Sequence, residues 1–202
     1  MKQDLTVKEV DIYDFDKTLI PFDSGSLFWL YCIVHYPWIL ACLPYQLMGI
    51  ILYSMNVYDL TKMKGPFFSF VSMIPVERAV KKFWDRHEKE IFDWAKRENR
   101  ERYSVMISAS PDFLIKEVAK RIDIDDFICT KHDKHGKVIG RNCHDEEKVR
   151  LFRERYPDAK VINVSSDSIP NDKHIFSLGE NCFHAVNGKR IPFVFSEMYK
   201  ES

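Results

Sequence analysis

Apolar positions along this chain repeat with two periods. Short runs rich in β-branched and aromatic residues predict strands: Val10, Ile12 and Tyr13 near the start, then residues 103–108, 127–130, 160–164 and 183–186. Between these runs the apolar residues fall three and four apart, which predicts helices. Phe113, Ile115, Val118, Ala119 and Ile122 form one such face, and residues 145–156 form another helix. Ser110-Pro111-Asp112 reads as a helix start, with serine as N-cap, proline at the first helical position and an acid in the first turn. Residues 134–137, around Gly136, read as a turn inside a hairpin. Strands alternating with helices predict an α/β fold with a parallel sheet.

One stretch breaks the alternation. Residues 24–58 contain no Asp, Glu, Lys or Arg. Their apolar blocks, 27–34, 38–43 and 47–53, are separated by Pro37 and Pro44, so helices are expected to break or kink there. Lys62 and Lys64 restore charge, and Gly65-Pro66 marks a further break. From Val76 a helix is expected to run to about Glu98, with Val80, Phe83, Trp84, His87, Ile91 and Trp94 on its packing face. The whole of 23–99 therefore reads as a helical insert after the first strand, with 1–22 and 100–202 forming the core.

The remaining totals narrow the possibilities. The chain has 202 residues, enough for one core with an insert. Lys+Arg and Asp+Glu both number 30, which gives no electrostatic case for nucleic acid. Five scattered cysteines form no C-x-x-C and read as free thiols in a reducing compartment. Met1-Lys2-Gln3-Asp4 lacks the apolar region of a signal peptide, so a cytoplasmic location is expected.

The candidate chemistry lies at the predicted strand ends, where α/β sheets bind ligands. Asp14 and Asp16, with Thr18 two residues on, follow the first strand. An i, i+2 pair at a strand end points the same way, so two carboxylates crowd one region and raise each other's pKa. Phosphoryl transfer uses such a pair: one carboxylate attacks phosphorus and the other handles protons. Ser108 closes the second strand, where its hydroxyl and nearby amides, such as that of Ala109, suit phosphate oxygens. Lys148 stands in a helix first turn, where a cation opposes the dipole by about 0.3–1 kcal/mol. On that ground its loss is expected to leave the helix as stable as before. Asp167 and Asp172 follow the strand 160–164 and are spaced to converge on one cation. Each motif alone has an ordinary reading: a turn cap for Ser108, a surface ion pair with Glu146 or Glu147 for Lys148, turn formers for 166–172. His132, His135, Cys143 and His144 read as a solvated hairpin more readily than as a zinc site.

Taken in order, D-x-D-x-T, strand-Ser, Lys at a helix start and strand-D-x-x-x-x-D resemble the four motifs of haloacid dehalogenase superfamily phosphatases. The position of the insert resembles the cap of subfamily I. Within subfamily IB, the group that includes phosphoserine phosphatases, the chain most resembles phosphatidylglycerophosphatase C-like members, which share Ile107-Ser108-Ala109-Ser110-Pro111, the segment from Cys143 to Lys148, Ser166-Asp167-Ser168 and a charge-poor cap with prolines spaced like Pro37 and Pro44. Ser166 departs from the glycine usual before the fourth-motif aspartate. The resemblance implies a Rossmann-like core and a phosphomonoester substrate. It assigns Asp14 as nucleophile and Asp16 as acid/base. Mg²⁺ would be held by Asp14, the Asp16 carbonyl and Asp167, and phosphate by Ser108, Ala109 and Lys148, with Thr18 and Asp172 supporting. The second acid separates phosphatases from dehalogenases, which lack it, and from transport ATPases, which carry threonine there. A lipid phosphate such as phosphatidylglycerophosphate is the expected substrate, because an amino-acid phosphate wants charged partners that 24–58 does not offer. A soluble-metabolite phosphatase and a non-catalytic binding module of the same fold stay open.

The insert is also apolar enough to raise the question of the membrane. The first motif precedes it and the other three follow, so spans must come in even numbers. Two spans need about 40 apolar residues, more than this run supplies. Either a cap packed on itself or an interfacial hairpin remains. For the hairpin, Trp29, Tyr31, Tyr36, Trp38, Tyr45 and Tyr53 would suit the interface, and Lys62 and Lys64 would meet anionic headgroups.

Overall fold

The computed structural model describes residues 8–198; the N-terminal tetrapeptide discussed above lies outside them. Six strands form one sheet in the order β3-β2-β1-β4-β5-β6. They are β1 (Glu9–Tyr13), β2 (Tyr103–Pro111), β3 (Asp126–Thr130), β4 (Lys160–Ser166), β5 (Gly179–Val186) and β6 (Lys189–Phe193). The first five run parallel, and β6 pairs antiparallel with β5. The sequence reading missed β6. Its signal was Asn187-Gly188, which takes positive φ at both positions (48° and 75°), as a two-residue hairpin turn requires.

Between β1 and β2 stand four helices: α1 (Ser24–His35), α2 (Leu43–Ser54), α3 (Leu60–Phe68) and α4 (Val76–His87). The remaining helices are α5 (Asp112–Arg121), α6 (Glu146–Arg155), α7 (Lys173–Phe176) and α8 (Phe195–Met198). The two early prolines act as expected. Pro37 opens a 3₁₀ stretch, Pro37–Cys42, and Pro44 sits in the first turn of α2, where its missing N–H costs nothing. Three expectations need correction. First, α3 runs through Gly65-Pro66 instead of breaking there. Gly49 of α2 makes this crossing possible, since a Cβ on it would lie 2.6 Å from Pro66 Cβ. Second, α4 ends at His87, and the chain to Asn99 is a series of short 3₁₀ turns. Third, β2 extends to Pro111, so Ser110 is not the N-cap of α5.

A hydrophobic cluster fastens the insert to the sheet. Phe28, Phe70, Phe83 and Trp84 of the insert are buried with Tyr13, Phe15, Met106 and Leu114 of the core. Each such side chain contributes about 1.5–3 kcal/mol. The opposite face of the insert is not covered. Twelve of the seventeen exposed large hydrophobic side chains among the described residues lie between Leu30 and Val57. The 3₁₀ stretch and α2 together, Pro37–Ser54, form the one helical run among the described residues long and apolar enough to cross a membrane, and only 17% of it is buried. The insert therefore does not pack all of its apolar residues on itself. Tyr31, by contrast, is buried against Phe28 and Phe83, which removes it from the interfacial set.

Candidate active site

The parallel topology brings the ends of β1, β2 and β4 side by side. Asp14 follows β1 directly, and its N–H donates to Ser165 O on β4 (2.9 Å). Its carboxylate is held from two sides. Thr18 Oγ1 donates to Oδ2 (3.2 Å), and Lys148 Nζ donates to Oδ1 (2.7 Å). Thr18 Oγ1 also accepts the Asp167 N–H (2.9 Å), so one threonine ties the first motif to the fourth. Lys148 makes a second ion pair with Asp172 Oδ1 (2.7 Å). The lysine is only 3% exposed, which excludes the surface ion pair with Glu146 or Glu147. Burial alone would depress its ammonium, but Asp14 and Asp172 outweigh that and hold it above the ordinary lysine range.

The two acids of the first motif occupy separate niches. Asp16 accepts the Ser24 N–H at Oδ1 (2.8 Å) and the Ser110 hydroxyl at Oδ2. Ser24 Oγ and Ser110 Oγ lie 3.3 Å apart, which completes the clamp. Burial pushes the Asp14 carboxyl up to about 7, against Lys148, with Asp172 adding to the rise and Asp16 contributing least. Asp16 is pushed up to about 6, again mainly by burial and then by Asp23, while Ser110 and Ser24 pull it down. Mutual crowding of the pair is thus a minor cause, contrary to the expectation from their spacing. Desolvation is the largest cause for both acids.

The remaining predicted residues gather at the same place. Ser108, 1% exposed, accepts the Ser110 N–H at Oγ (3.0 Å) where β2 bulges before Pro111. The Ala109 carbonyl accepts from Lys64 Nζ (2.5 Å) and lies 2.9 Å from Thr130 Oγ1. Asp167 is half-buried, and burial followed by Asp172 raises its carboxyl. Ser166, where the superfamily usually has glycine, donates from Oγ to Asp172 Oδ2 (2.5 Å) and accepts the Ser168 N–H (3.2 Å). The serine therefore fixes the aspartate that pairs with Lys148.

Sequence reasoning missed Ser24, Ser110, Asn142 and Lys64 as site residues. Ser110 was legible as a cap and turns out to hold Asp16. The sequence puts Lys64 at headgroups; its ammonium instead points at Ala109 O and Asn142 Oδ1 (2.6 Å) beneath the insert. Nothing in local spacing signals a contact between residues so far apart in the chain.

Residues 12–173 match the family model of haloacid dehalogenase-like hydrolases. The chain belongs to that family. With the acid pair of the first motif, it is a hydrolase of phosphatase type. Solved structures agree on the fold. A protein of unknown function from Bordetella pertussis Tohama I aligns with TM-score 0.61 at 15% identity, covering 81% of this chain and 85% of that one. A phosphoserine phosphohydrolase-like protein from Francisella tularensis subsp. tularensis SCHU S4 gives 0.56 at 17%, covering 88% and 86%. A phospho-aspartyl intermediate analogue of phosphoserine phosphatase gives 0.55 at 14%, covering 88% and 86%. No curated protein matches the sequence significantly.

Proposed function

We propose that the protein hydrolyses a phosphomonoester through an aspartyl-phosphate on Asp14, and that the substrate is a lipid phosphate such as phosphatidylglycerophosphate. The observation that carries the mechanism is the separation of the two acids. Asp14 sits beside a buried lysine, as a nucleophile facing a phosphate needs, and Asp16 sits in a serine clamp that holds its proton-bearing group apart. An Asp14 oxygen attacks phosphorus while the ester P–O bond breaks and Asp16 protonates the departing alcohol. Asp16 then takes a proton from the water that attacks the phosphoryl group, and inorganic phosphate leaves with Asp14 regenerated. Lys148, Ser108 Oγ and the Ala109 N–H bind the other phosphate oxygens, where charge is spread in the transition state. Asp172 and Thr18 orient Lys148 and Asp14.

The site suits a hard divalent cation. Asp14, Asp16, Asp167 and Asp172 outnumber Lys148, and Asp14 and Asp167 are both raised by burial without a cation of their own to offset it fully. No three His, Cys, Asp or Glu side chains among the described residues form a metal cluster. The donor set inferred here is two carboxylates, Asp14 and Asp167, with the Asp16 backbone carbonyl, and oxygen donors of this kind suit Mg²⁺. When bound, Mg²⁺ would screen the repulsion between a phosphate dianion and the attacking carboxylate.

The uncovered face of the insert supports the lipid reading. Trp38, Tyr45, Leu47, Ile51 and Tyr53 are all more than 40% exposed, with no charge from 24 to 58 to oppose burial in a leaflet. On this reading 23–99 is a cap on a core of 1–22 and 100–202, the protein is a subfamily IB member, and it works from the cytoplasm on the inner membrane face. Lys62, which is exposed, would meet headgroups. A soluble metabolite such as phosphoserine is the second reading, because Asp23 and Lys64 line the same cavity and would match an ammonium and a carboxylate. A Mg²⁺-dependent screen of phosphatidylglycerophosphate and phosphatidic acid in mixed micelles against phosphoserine decides between them. Lipid phosphates turned over at least tenfold faster in kcat/KM support the first reading; the reverse order overturns it.

A further inference from the structure

A cavity of about 310 Å³ lies between insert and core beside Asp16. Its apolar wall is Leu60, Met63, Phe67 and Phe68, and its one cation is Lys64. Lys64 differs from Lys148 in how its charge is compensated. Lys148 has two carboxylates at 2.7 Å. Lys64 has only neutral acceptors, the Ala109 carbonyl and the Asn142 side-chain oxygen, and no carboxylate among the described residues lies within ion-pairing distance. An ammonium has three N–H groups, and the two neutral acceptors account for two of them. Burial pushes this amine down to about 8, with Asp16 and Asp23 supporting the charge from further away and Lys148 opposing it. A partly buried cation without a paired anion is costly, and a bound anion would offset that cost through a charge-assisted hydrogen bond. Its acceptors are themselves fixed. Asn142 Oδ1 lies 2.8 Å from Thr130 Oγ1, which accepts the Cys143 N–H (3.0 Å). The ammonium is therefore pre-positioned on the alcohol side of the site, next to the clamp that holds Asp16.

We propose that Lys64, seated on Asn142 and the Ala109 carbonyl, is a specificity residue that binds a second anionic group on the leaving alcohol of the substrate. The inference rests on the phosphatase reading and narrows its substrates to phosphomonoesters carrying another negative charge: a phosphodiester, a second phosphate or a carboxylate. The Lys64→Met and Lys64→Gln variants of the full chain, with Mg²⁺, are assayed on phosphatidylglycerophosphate, glycerol bisphosphate, phosphoserine and p-nitrophenyl phosphate. The expected result is at least a tenfold loss of kcat/KM, mostly in KM, on the wild type's best two-anion ester, with a loss at least fivefold smaller on p-nitrophenyl phosphate and Lys64→Arg restoring part of the loss. Which two-anion ester the wild type prefers identifies the source of the anion. Equal loss on p-nitrophenyl phosphate would make Lys64 a ligand of the transferred phosphate, and no loss on any ester would make it structural; either overturns the proposal. If Lys64→Met does not fold, Lys64→Gln and Lys64→Arg carry the same comparison. Absence of wild-type turnover on all four esters would instead defeat the phosphatase reading itself.

Discussion

Replacing Lys148 by Met tests the buried lysine bridge most sharply, because two physical effects oppose each other. Removing a cation from the first turn of α6 relieves the helix dipole by about 0.3–1 kcal/mol. Judged from the sequence alone, that makes the change neutral or stabilising. The structure reverses the sign. Lys148 is buried and pairs with both Asp14 and Asp172 at 2.7 Å, and breaking a buried ion pair by removing one partner costs about 3–5 kcal/mol. The net loss is about 3 kcal/mol, which for a chain of this size lowers Tm by roughly 6–12 °C. The effect should depend on pH. Asp14 already has a folded-state pKa raised to about 7, so its contribution is most favourable below the unfolded value near 4 and is lost as pH rises to 7. Without Lys148 its pKa goes higher still, so the deficit of the variant grows from pH 5 to pH 8. Adding Asp14→Asn to Lys148→Met should recover part of the loss at pH 8. Calorimetry in metal-free buffer at both pH values reads all of this. An unchanged or raised Tm at pH 8, or a deficit larger at pH 5, would refute the reasoning.

Other outcomes follow from the same geometry. Asp14→Asn should lower kcat by several orders of magnitude while the protein stays folded by circular dichroism, and activity within about tenfold of wild type would remove Asp14 as the nucleophile. Ser110→Ala removes a donor that pulls Asp16 down, so the alkaline limb of kcat/KM, set by loss of the Asp16 proton, should move to higher pH; a shift to lower pH would contradict the clamp. Trp38→Glu with Leu47→Glu should weaken co-sedimentation with anionic liposomes and leave hydrolysis of p-nitrophenyl phosphate within twofold, since both side chains lie on the exposed face; undiminished sedimentation would argue against leaflet contact.

The sheet was legible wherever hydrophobic period and chain order agreed. Five of the six strands carry β-branched runs, and the helices after β2 and before β4 show a clear apolar face. The sequence hid what depends on contact between distant residues. Helical spacing of Ile91 and Trp94 hides the end of α4, yet Ile91 lies between two 3₁₀ turns and Trp94 within the second, where its Nε1 donates to Gly188 O (3.1 Å) across the fold. Order and spacing brought Asp14, Asp16, Ser108, Lys148, Asp167 and Asp172 forward as candidates, and the parallel topology brings them together. The serines around Asp16 escaped because Ser24 begins a helix and Ser110 reads as a helix cap, so each has an adequate local explanation. Lys64 escaped for a related reason: a lysine in the middle of a short helix looks the same whether it meets water, headgroups or a buried carbonyl.

The central claim is a covalent phosphoryl group on Asp14. Rapid acid quenching of the wild-type protein during turnover of a phosphomonoester with Mg²⁺, followed by peptide mass spectrometry, tests it directly. The account predicts a phosphoryl group on the peptide containing Asp14, absent from the Asp14→Asn variant and formed no more slowly than product. Steady turnover with an unmodified Asp14, or a phosphoryl group on another residue, would contradict it.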